Sequence, residues 1–371
     1  TNRSEPGRLR DGASECRKSI MTSPPRFTIA LLIATPGTTW GGMEKHTADL
    51  AANLARRGHC VHVVAHKDYR DRFHSGIHFH ALPVQLGRRN LWLQLALRRR
   101  LREIAPDILH AQGNKAAQLA AKTGNLVRVR IGTVHGTKSN HKAFDRLDEV
   151  IAVSPQILAA LRHPRKHLIY NGVNCKGQGI KTDDGPKLPS GVTNVIAVGR
   201  LETVKGFDAL IRAWAMLGDS THRCHLTIFG EGSQRSQLEK FIRQSKLEQS
   251  VTLAGFREDL APVYDKAELT VISSEREGFP YVLAESLLSG CPVVSTPVSG
   301  PRDILPESSL SAGHRDRDLA ELITRALSDL ETLKQSEQPA MDFARKTLTI
   351  NAMGEQTEAL YLRAMGEQRG T

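Results

Sequence analysis

The sequence contains few cysteines, and their spacing suggests neither disulfide bonds nor a metal site. Its 371 residues include five cysteines, which are Cys16, Cys60, Cys175, Cys224 and Cys291. No two of them form a C-x-x-C pair, so neither a disulfide framework nor a zinc site is expected. A reduced cytoplasmic setting fits this usage. Cys60 and Cys291 lie in apolar segments, which predicts that both are core residues.

Long apolar runs are also missing. The longest, around residues 27–34, has the length of a strand and falls far short of the roughly 18–20 residues that cross a bilayer. Residues 1–20 are polar and lack the apolar segment of a signal peptide, so they are predicted to be a disordered leader. Aromatic residues make up only 5% of the chain.

Positive charge is abundant but uneven. The formal net charge is +12. Residues 1–170 contain 28 Lys and Arg against 12 Asp and Glu, whereas residues 171–371 contain 23 against 27. A basic half implies an anionic partner, which could be a nucleic acid, an acidic lipid surface or a phosphorylated substrate.

Apolar, strand-like segments alternate with amphipathic, helix-like segments from residue 27 onward. This alternation is typical of a parallel sheet with helices on both faces. A stretch rich in Gly, Pro and charge interrupts it, and the alternation then restarts. We therefore predict an α/β fold with two Rossmann-like, doubly wound domains that face each other across a ligand cleft. The predicted segments are an N-terminal domain (21–174), a linker (175–191), a C-terminal domain (192–350) and a polar, helical C-terminal tail (351–371).

The candidate binding residues follow strands. Gly41 and Gly42 precede a predicted helix, where free amides and close backbone approach suit an anion, although a flexible turn would look the same. Arg200 and Lys205 follow the first strand of the second domain and could clamp a diphosphate, although a solvated basic loop is the common alternative. Glu231 stands between two glycines after a later strand.

A segment with two glutamates, SSEREGFPYVLAESLLSG, follows another strand of the second domain. Pro280 is suited to the first position of a helix. That start would leave Glu277 in the loop and put Glu285 in the second turn. Amides near residues 278–281 would then point into the cleft. Carboxylates that accept hydrogen bonds from hydroxyls, beside amides that bind an anion, suit a nucleotide sugar.

The motifs GGMEKH, GRLETVKG, FGEG and EGFPYVLAES occur here in order. Together they resemble the large family of retaining GT-B glycosyltransferases that carry the E-x7-E motif, over roughly residues 27–350. The resemblance implies a nucleotide-diphosphate-sugar donor, bound in the cleft without a metal ion or other cofactor. It implies that Arg200 and Lys205 bind the diphosphate, that Glu277 contacts the donor sugar, and that Glu285 binds the ribose. The further donor contacts it implies are Gly41, Gly42, Phe256, Arg257, Gly278, Phe279 and Pro280, with Glu231 nearby.

His135, in GTVHGT after a first-domain strand, matches the active-site histidine of that family. A single histidine at a strand end is otherwise a structural residue. The resemblance implies transfer with retention of configuration, and we predict a uridine-diphosphate donor. The alternatives are an epimerase of the same fold and, in a different class, a nucleic-acid-binding protein. The second lacks interleaved aromatic residues and a recognisable module, so no nucleic-acid partner is expected.

The acceptor is expected at the basic first domain. Residues 86–104 combine Leu91, Trp92 and Leu95 with an arginine cluster that contains Arg98 and Arg99. A basic amphipathic helix of this kind is typical of contact with a membrane surface, although an ordinary helix with a solvated arginine face would look similar. These features predict a glycan or lipid-linked acceptor that can carry phosphate, with lipopolysaccharide assembly as one setting. They also predict a cytoplasmic protein that can bind the anionic inner face of the membrane.

Overall fold

The computed structural model describes residues 25–35, 40–136, 141–174, 188–218 and 223–367. Its first domain contains, within these ranges, a parallel sheet of seven strands in the order β3-β2-β1-β4-β5-β6-β7. The strands are β1 (Thr28–Ile33), β2 (Cys60–Ala65), β3 (His78–Ala81), β4 (Ile108–Gln112), β5 (Val129–Val134), β6 (Glu149–Ala152) and β7 (Lys166–Leu168). The helices between them are α1 (Gly42–Arg56), α2 (Leu91–Ile104), α3 (Gly113–Ala120) and α4 (Pro155–Ala160).

The second domain repeats this winding with a smaller parallel sheet in the order β10-β9-β8-β11-β12. Its strands are β8 (Thr193–Val198), β9 (Cys224–Phe229), β10 (Val251–Gly255), β11 (Leu269–Ile272) and β12 (Val293–Ser295). Its first helices are α5 (Phe207–Met216), α6 (Arg235–Gln244), α7 (Ala261–Tyr264), α8 (Tyr281–Ser289) and α9 (Pro301–Ile304). In both sheets the first strand of the domain is central and the winding reverses beside it, so both sheets have a crevice at their carboxyl edge.

Four helices close the chain: α10 (Asp316–Ser328), α11 (Leu330–Ser336), α12 (Gln338–Thr347) and α13 (Ile350–Glu367). Helix α13 leaves the second domain and packs against α1 of the first. Its buried Met353, Leu360 and Tyr361 join the apolar core beneath the first sheet. The Glu358 carboxylate accepts a hydrogen bond from Arg57 Nε at 2.7 Å. The predicted polar character of the tail is therefore wrong for α13, because one face of this helix is part of the first domain's core.

Two local expectations also need correction. Helix α8 begins at Tyr281, one residue later than predicted, because Pro280 has the extended backbone of a cap residue (ψ 128°). Glu285 still lies in the second turn. Cys60 is exposed instead of buried in a core, because it is the first residue of β2 and faces out of the sheet. Of the expected leader, linker and tail, residues 1–20, 175–187 and 368–371 lie outside the described residues. No helix in the described ranges is long and apolar enough to cross a membrane.

Candidate active site

Lys205 and Glu277 come from two separate loops and meet at the carboxyl edge of the second sheet. Lys205 Nζ lies 2.6 Å from Glu277 Oε1, and the Ser274 hydroxyl donates to the same oxygen at 2.6 Å. The loops touch because Gly206 has a positive φ of 64° and no side chain; a Cβ there would overlap the Ser273 carbonyl oxygen. The sequence thus places one cation and one carboxylate side by side, partly buried, where a ligand of this fold binds.

Arg200 lies in the loop that follows β8 and is exposed. Within the described residues, no ion pair or side-chain hydrogen bond engages its guanidinium. The loop that bears Arg200 packs closely against the loop that follows β9, since a Cβ on Gly230 would overlap the Gly199 carbonyl oxygen. Arg200 and Lys205 therefore share one loop, with Lys205 already paired and Arg200 accessible to an anion.

The two domains come into backbone contact at Gly278. A Cβ at this position would overlap the carbonyl oxygen of His135, so only glycine permits this approach. The His135 ring hydrogen-bonds through Nε2 to Gln112 Oε1 at 2.8 Å and lies edge-on to His46, with ring centroids 4.7 Å apart. The structure thus brings His135 of the first domain to the glutamate loop of the second.

Three histidines lie together beneath this junction. Burial lowers the pKa of His46 to about 4 and that of His110 to about 3, and burial with these two neighbours lowers the pKa of His135 well below its usual value. His110 is satisfied on both sides, by Tyr361 Oη at 2.6 Å and Thr133 Oγ1 at 2.7 Å. All three rings are therefore neutral near pH 7, so His135 offers a hydrogen-bonding imidazole and not a fixed positive charge.

Glu285 lies at the other side of the cleft opening. Its Oε2 accepts a hydrogen bond from Tyr264 Oη at 3.0 Å, and its Oε1 lies 3.6 Å from Lys45 Nζ of the first domain. The Lys45 ammonium also sits 4.9 Å from the centroid of the Tyr281 ring. Burial and the Glu285 carboxylate raise the pKa of Tyr264 well above its usual value, so Tyr264 remains a hydrogen-bond donor.

The glycine pair Gly41-Gly42 lies at the start of α1, facing this region. The Gly41 N–H donates to Glu44 Oε2 at 3.1 Å. A Cβ on Gly42 would lie 3.3 Å from the ring of Tyr281, the first residue of α8. The starts of α1 and α8 therefore oppose each other. The Gly41 amide is engaged by Glu44, and the binding of phosphate by this glycine pair stays a prediction.

Two of the predicted donor contacts, Phe256 and Arg257, directly follow β10. Phe256 is 67% exposed and Arg257 is exposed as well, so both are open to a ligand. Glu231, which precedes α6, forms an ion pair of 2.5 Å with Arg235 in the first turn of that helix. From the first domain, Arg72 Nη1 approaches Glu258 at 3.1 Å.

Two of the predicted donor residues are buried side chains. Phe279 is 5% exposed and packs against Tyr170, with ring centroids 5.2 Å apart, and Pro280 is buried beside it. Their side chains anchor the loop, so a ligand in the cleft could contact these two residues only through backbone atoms. The Asn171 amide points its Nδ2 at the Phe279 carbonyl, 3.5 Å away.

Sequence reasoning missed several residues of this site: Lys45, His46, Gln112, Asn171 and Tyr281. Lys45 and His46 stand inside the quoted motif GGMEKH, on the two helix positions that follow Glu44. Helical spacing from Gly42 would have placed them in the first turns of α1, close to the predicted phosphate loop. Gln112 ends β4, which is the strand-end position that was used to select His135.

The fold places this chain among the GT-B proteins, in which two Rossmann-like domains face each other. It superimposes on HepE of Anabaena, solved in complex with UDP, with a TM-score of 0.74 and 19% identity over 90% of this chain and 99% of that one. A glycosyltransferase of Rickettsia africae gives a TM-score of 0.78 at 19% identity, over 92% and 99% of the two chains.

Two family models match successive parts of the chain. Residues 40–176 match Glycosyltransferase Family 4, and residues 181–341 match Glycosyl transferases group 1. The chain belongs to the group 1 glycosyltransferases.

Two curated relatives are each 26% identical to the chain over the residues that align. The lipopolysaccharide core biosynthesis glycosyltransferase LpsE of Rhizobium meliloti is 26% identical over 230 residues, which are 61% of this chain and 64% of that protein. The match to a GDP-mannose-dependent alpha-mannosyltransferase of Mycobacterium tuberculosis is 26% over 301 residues, covering 71% of this chain and 77% of that enzyme. The chain thus matches less than two thirds of LpsE.

Proposed function

We propose that this protein transfers a sugar from a nucleotide-diphosphate sugar to a glycan or lipid-linked acceptor. The observation that carries the proposal is the contact of Lys205 with Glu277, next to the point where Gly278 meets the His135 carbonyl. One cation for a phosphate and one carboxylate for sugar hydroxyls lie side by side in the cleft between two domains. A diphosphate and its attached sugar present these two kinds of group in adjacent positions.

In the proposed reaction, an acceptor oxygen forms a bond to the anomeric carbon as the bond from that carbon to the diphosphate breaks. Negative charge grows on the leaving diphosphate, and Arg200 and Lys205 are placed to stabilise it. Glu277, held by Ser274 as well as Lys205, accepts hydrogen bonds from the sugar and orients it. The chain's own cations supply this charge stabilisation, so we propose that transfer requires no metal.

We further propose that the configuration is retained. In a front-face route, the acceptor hydroxyl passes its proton to an oxygen of the leaving diphosphate on the same side of the sugar. Glu277 is paired with Lys205, and Glu285 is assigned to the ribose, so neither is proposed as a nucleophile on the sugar. The neutral His135 imidazole would hydrogen-bond the donor sugar at the junction of the domains.

A uridine-diphosphate sugar is the proposed donor. HepE, which was solved with UDP and with UDP-glucose, aligns along 99–100% of its length. The name of the mycobacterial relative specifies GDP-mannose, so relatives of this chain differ in their base. In our proposal the exposed Phe256 and Arg257 contact the base of the nucleotide, and Glu285 accepts hydrogen bonds from the ribose hydroxyls.

The first domain carries a basic groove that suits a phosphorylated acceptor. The groove, of about 430 Å³, is lined by Arg88, Arg89, Lys122, Lys142 and Arg146 together with the amides of Asn114 and Gln118. Five cations with no carboxylate in the lining favour an anionic ligand. Asn114 lies in the first turn of α3, at the carboxyl edge of the sheet that also bears His135. We propose that this groove receives the acceptor.

Helix α2 adds an apolar surface beside this groove. Leu91, Trp92 and Leu95 are 72%, 77% and 58% exposed, and only Asn90 separates the first of them from Arg88 and Arg89. Apolar side chains beside a basic groove suit a lipid-linked phosphate at an anionic membrane surface. We propose peripheral binding to the cytoplasmic face and, from the name of LpsE, a setting in lipopolysaccharide or cell-surface glycan assembly.

The proposal is tested by removing the side chains of Lys205 and Glu277 in separate variants. Lys205→Ala and Glu277→Ala should each lower the rate of sugar transfer by about 10²–10³-fold, because each removes a group aimed at the transition state. The assay follows release of UDP from UDP-glucose and other UDP sugars in an extract that contains acceptor lipids. Lys240→Ala, a change of an exposed lysine on α6, is the matched control and should leave the rate unchanged.

Measurement of UDP binding distinguishes a variant that has lost the site from one that has lost the fold. Wild-type protein should gain thermal stability with UDP by mass action, and Lys205→Ala should lose most of this gain while its melting temperature without ligand stays near that of wild type. Full transfer activity in both Lys205→Ala and Glu277→Ala would overturn the site assignment.

A further inference from the structure

Four potential metal ligands lie on two neighbouring strands, far from the candidate active site. Cys60 and His62 are on β2, and His78 and His80 are on the edge strand β3. The parallel register pairs His62 with His78. Side chains two residues apart on a strand point to the same face, so all four share one face of the sheet edge.

The distances bring three of these side chains within reach of one ion. One ligand atom from each of Cys60, His62 and His78 lies within 4.8 Å of the others. Cys60 Sγ is 3.4 Å from His62 Nε2, close to the roughly 3.5 Å that tetrahedral zinc geometry with ordinary Zn–S and Zn–N bonds requires. The His62 and His78 rings stack with centroids 4.7 Å apart. Cys60 and His78 are exposed, so their side chains can rotate onto an ion.

We propose that Cys60, His62 and His78 form a binding site for Zn²⁺ or a similar borderline divalent metal. A thiolate with two imidazoles is a ligand set that zinc accepts, and a water molecule would complete the four positions. This differs from the expectation that the absence of a C-x-x-C pair excludes zinc. Here strand pairing, and not spacing along the chain, assembles the ligands.

His80 has a different part in this site. Its Nε2 lies 2.8 Å from His62 Nδ1. If His62 binds the metal through Nε2, its Nδ1 keeps a hydrogen and donates it to His80. Such a partner fixes the orientation and tautomer of the ligating ring. His80 is therefore a positioning residue and not a metal ligand.

The site would have a structural role. Cys60 and His78 are the first residues of β2 and β3, so they lie at the amino edge of the sheet, whereas the candidate active site lies at the carboxyl edge. Strand β3 has only four residues and pairs with β2 alone in the described part of the sheet. A metal bound to both strands would hold this edge strand in place without entering the transfer reaction.

The test uses the full chain, freed of metal and kept in a phosphine reductant that does not compete for the ion. One equivalent of Co²⁺ should produce a sulfur-to-cobalt charge-transfer band, and Zn²⁺ should abolish this band and raise the melting temperature. Cys60→Ser should lose the band. His80→Phe should keep it but weaken Zn²⁺ binding by about 10–100-fold.

The matched control is Cys224→Ser. Cys224 is the first residue of β9, the second strand of the other domain, and so occupies the position that Cys60 has in the first. This variant should keep the band and the wild-type affinity for Zn²⁺. Each variant is first compared with wild type by its melting temperature without metal. The proposal is overturned if Co²⁺ gives no thiolate band, or if Cys60→Ser binds Zn²⁺ as tightly as wild type through exposed imidazoles alone.

Discussion

The two domains share a doubly wound topology but differ in the chemistry at their strand ends. In the second domain, Lys205 and Glu277 face the cleft as a charged pair. In the first, His46, His110 and His135 are neutral because burial lowers the pKa of each. Topology brings both sets to the junction of the domains, so a charged pair from the second domain lies near neutral, hydrogen-bonding rings from the first.

The domains also differ in how they are completed. The second sheet is covered by helices that lie near it in the chain. The first domain is completed by α13, which follows the whole second domain in the chain. This helix buries Met353, Leu360 and Tyr361 in the core of the first domain. The comparison therefore predicts that the first domain depends on the C-terminus of the chain and on neutral histidines, and that the second does not.

The largest expected effect follows removal of α13. Deletion of residues 350–371 should prevent the first domain from folding stably, since it exposes the core beneath the first sheet and breaks the Glu358 contacts with Arg57 and His59. Hydrogen exchange followed by mass spectrometry should show fast exchange in β1, β2 and α1. A shorter deletion, of residues 368–371, is the control and should leave exchange unchanged. Slow exchange in β1 and β2 after the longer deletion would show that α13 is dispensable.

Acid should affect the first domain more than the second. The pKa of His46 falls to about 4 and that of His110 to about 3 on folding, from about 6.5 in the unfolded chain. The unfolded state therefore binds more protons, and stability is complete above pH 6.5 and is lost as the pH falls below it. Between pH 7 and 4.5 the free energy of unfolding should drop by about 3–5 kcal/mol.

Urea denaturation at both pH values measures this drop. His110→Gln, which cannot be protonated in this range, should reduce the drop by roughly a third, because His46 and His135 still contribute to it. His314→Gln changes an exposed histidine and should leave the drop as it is in wild type. If the drop is unchanged in His110→Gln, the acid sensitivity does not arise from the buried histidines as we expect.

A smaller effect of the opposite sign is expected in the helices that follow the second sheet. Glu337 is fully buried at the start of α12, and burial raises its pKa to about 7 from 4.5. Its stabilising contribution is therefore present below pH 4.5 and is lost as the pH rises through 7. Glu337→Gln should raise the free energy of unfolding at pH 8 by about 1–3 kcal/mol.

The glutamine can keep both contacts of Glu337, because its oxygen can accept from the Val293 N–H and its amide can donate to Ser309 Oγ. Glu331→Gln, at an exposed position on α11, should change stability little at any pH. Equal stability of wild type and Glu337→Gln at pH 8 would argue against a buried carboxyl with a raised pKa.

Much of the second domain could be predicted from local patterns. Lys205 and Glu277 both follow strands of one parallel sheet, and the carboxyl ends of such strands converge, so their proximity needed no knowledge of the other domain. The error at Pro280 was a single residue, because proline suits a cap as well as the first helical position. The site residues of the first domain were harder. Lys45 gains its neighbours Glu285 and Tyr281 only when the domains meet, and His46 meets His135 only when the first domain folds.

By itself, the sequence determined the alternation of strands and helices, the two doubly wound domains and the loops that bear Arg200, Lys205 and Glu277. These depend on periodicity, strand ends and turn residues, which are local properties. Tertiary structure decided that Gly278 touches the His135 carbonyl, that Lys45 reaches Glu285, that α13 completes the first core, and that His78 of β3 lies beside Cys60 and His62 of β2. Each of these contacts joins residues on different elements, so it depends on how strands pair and helices pack.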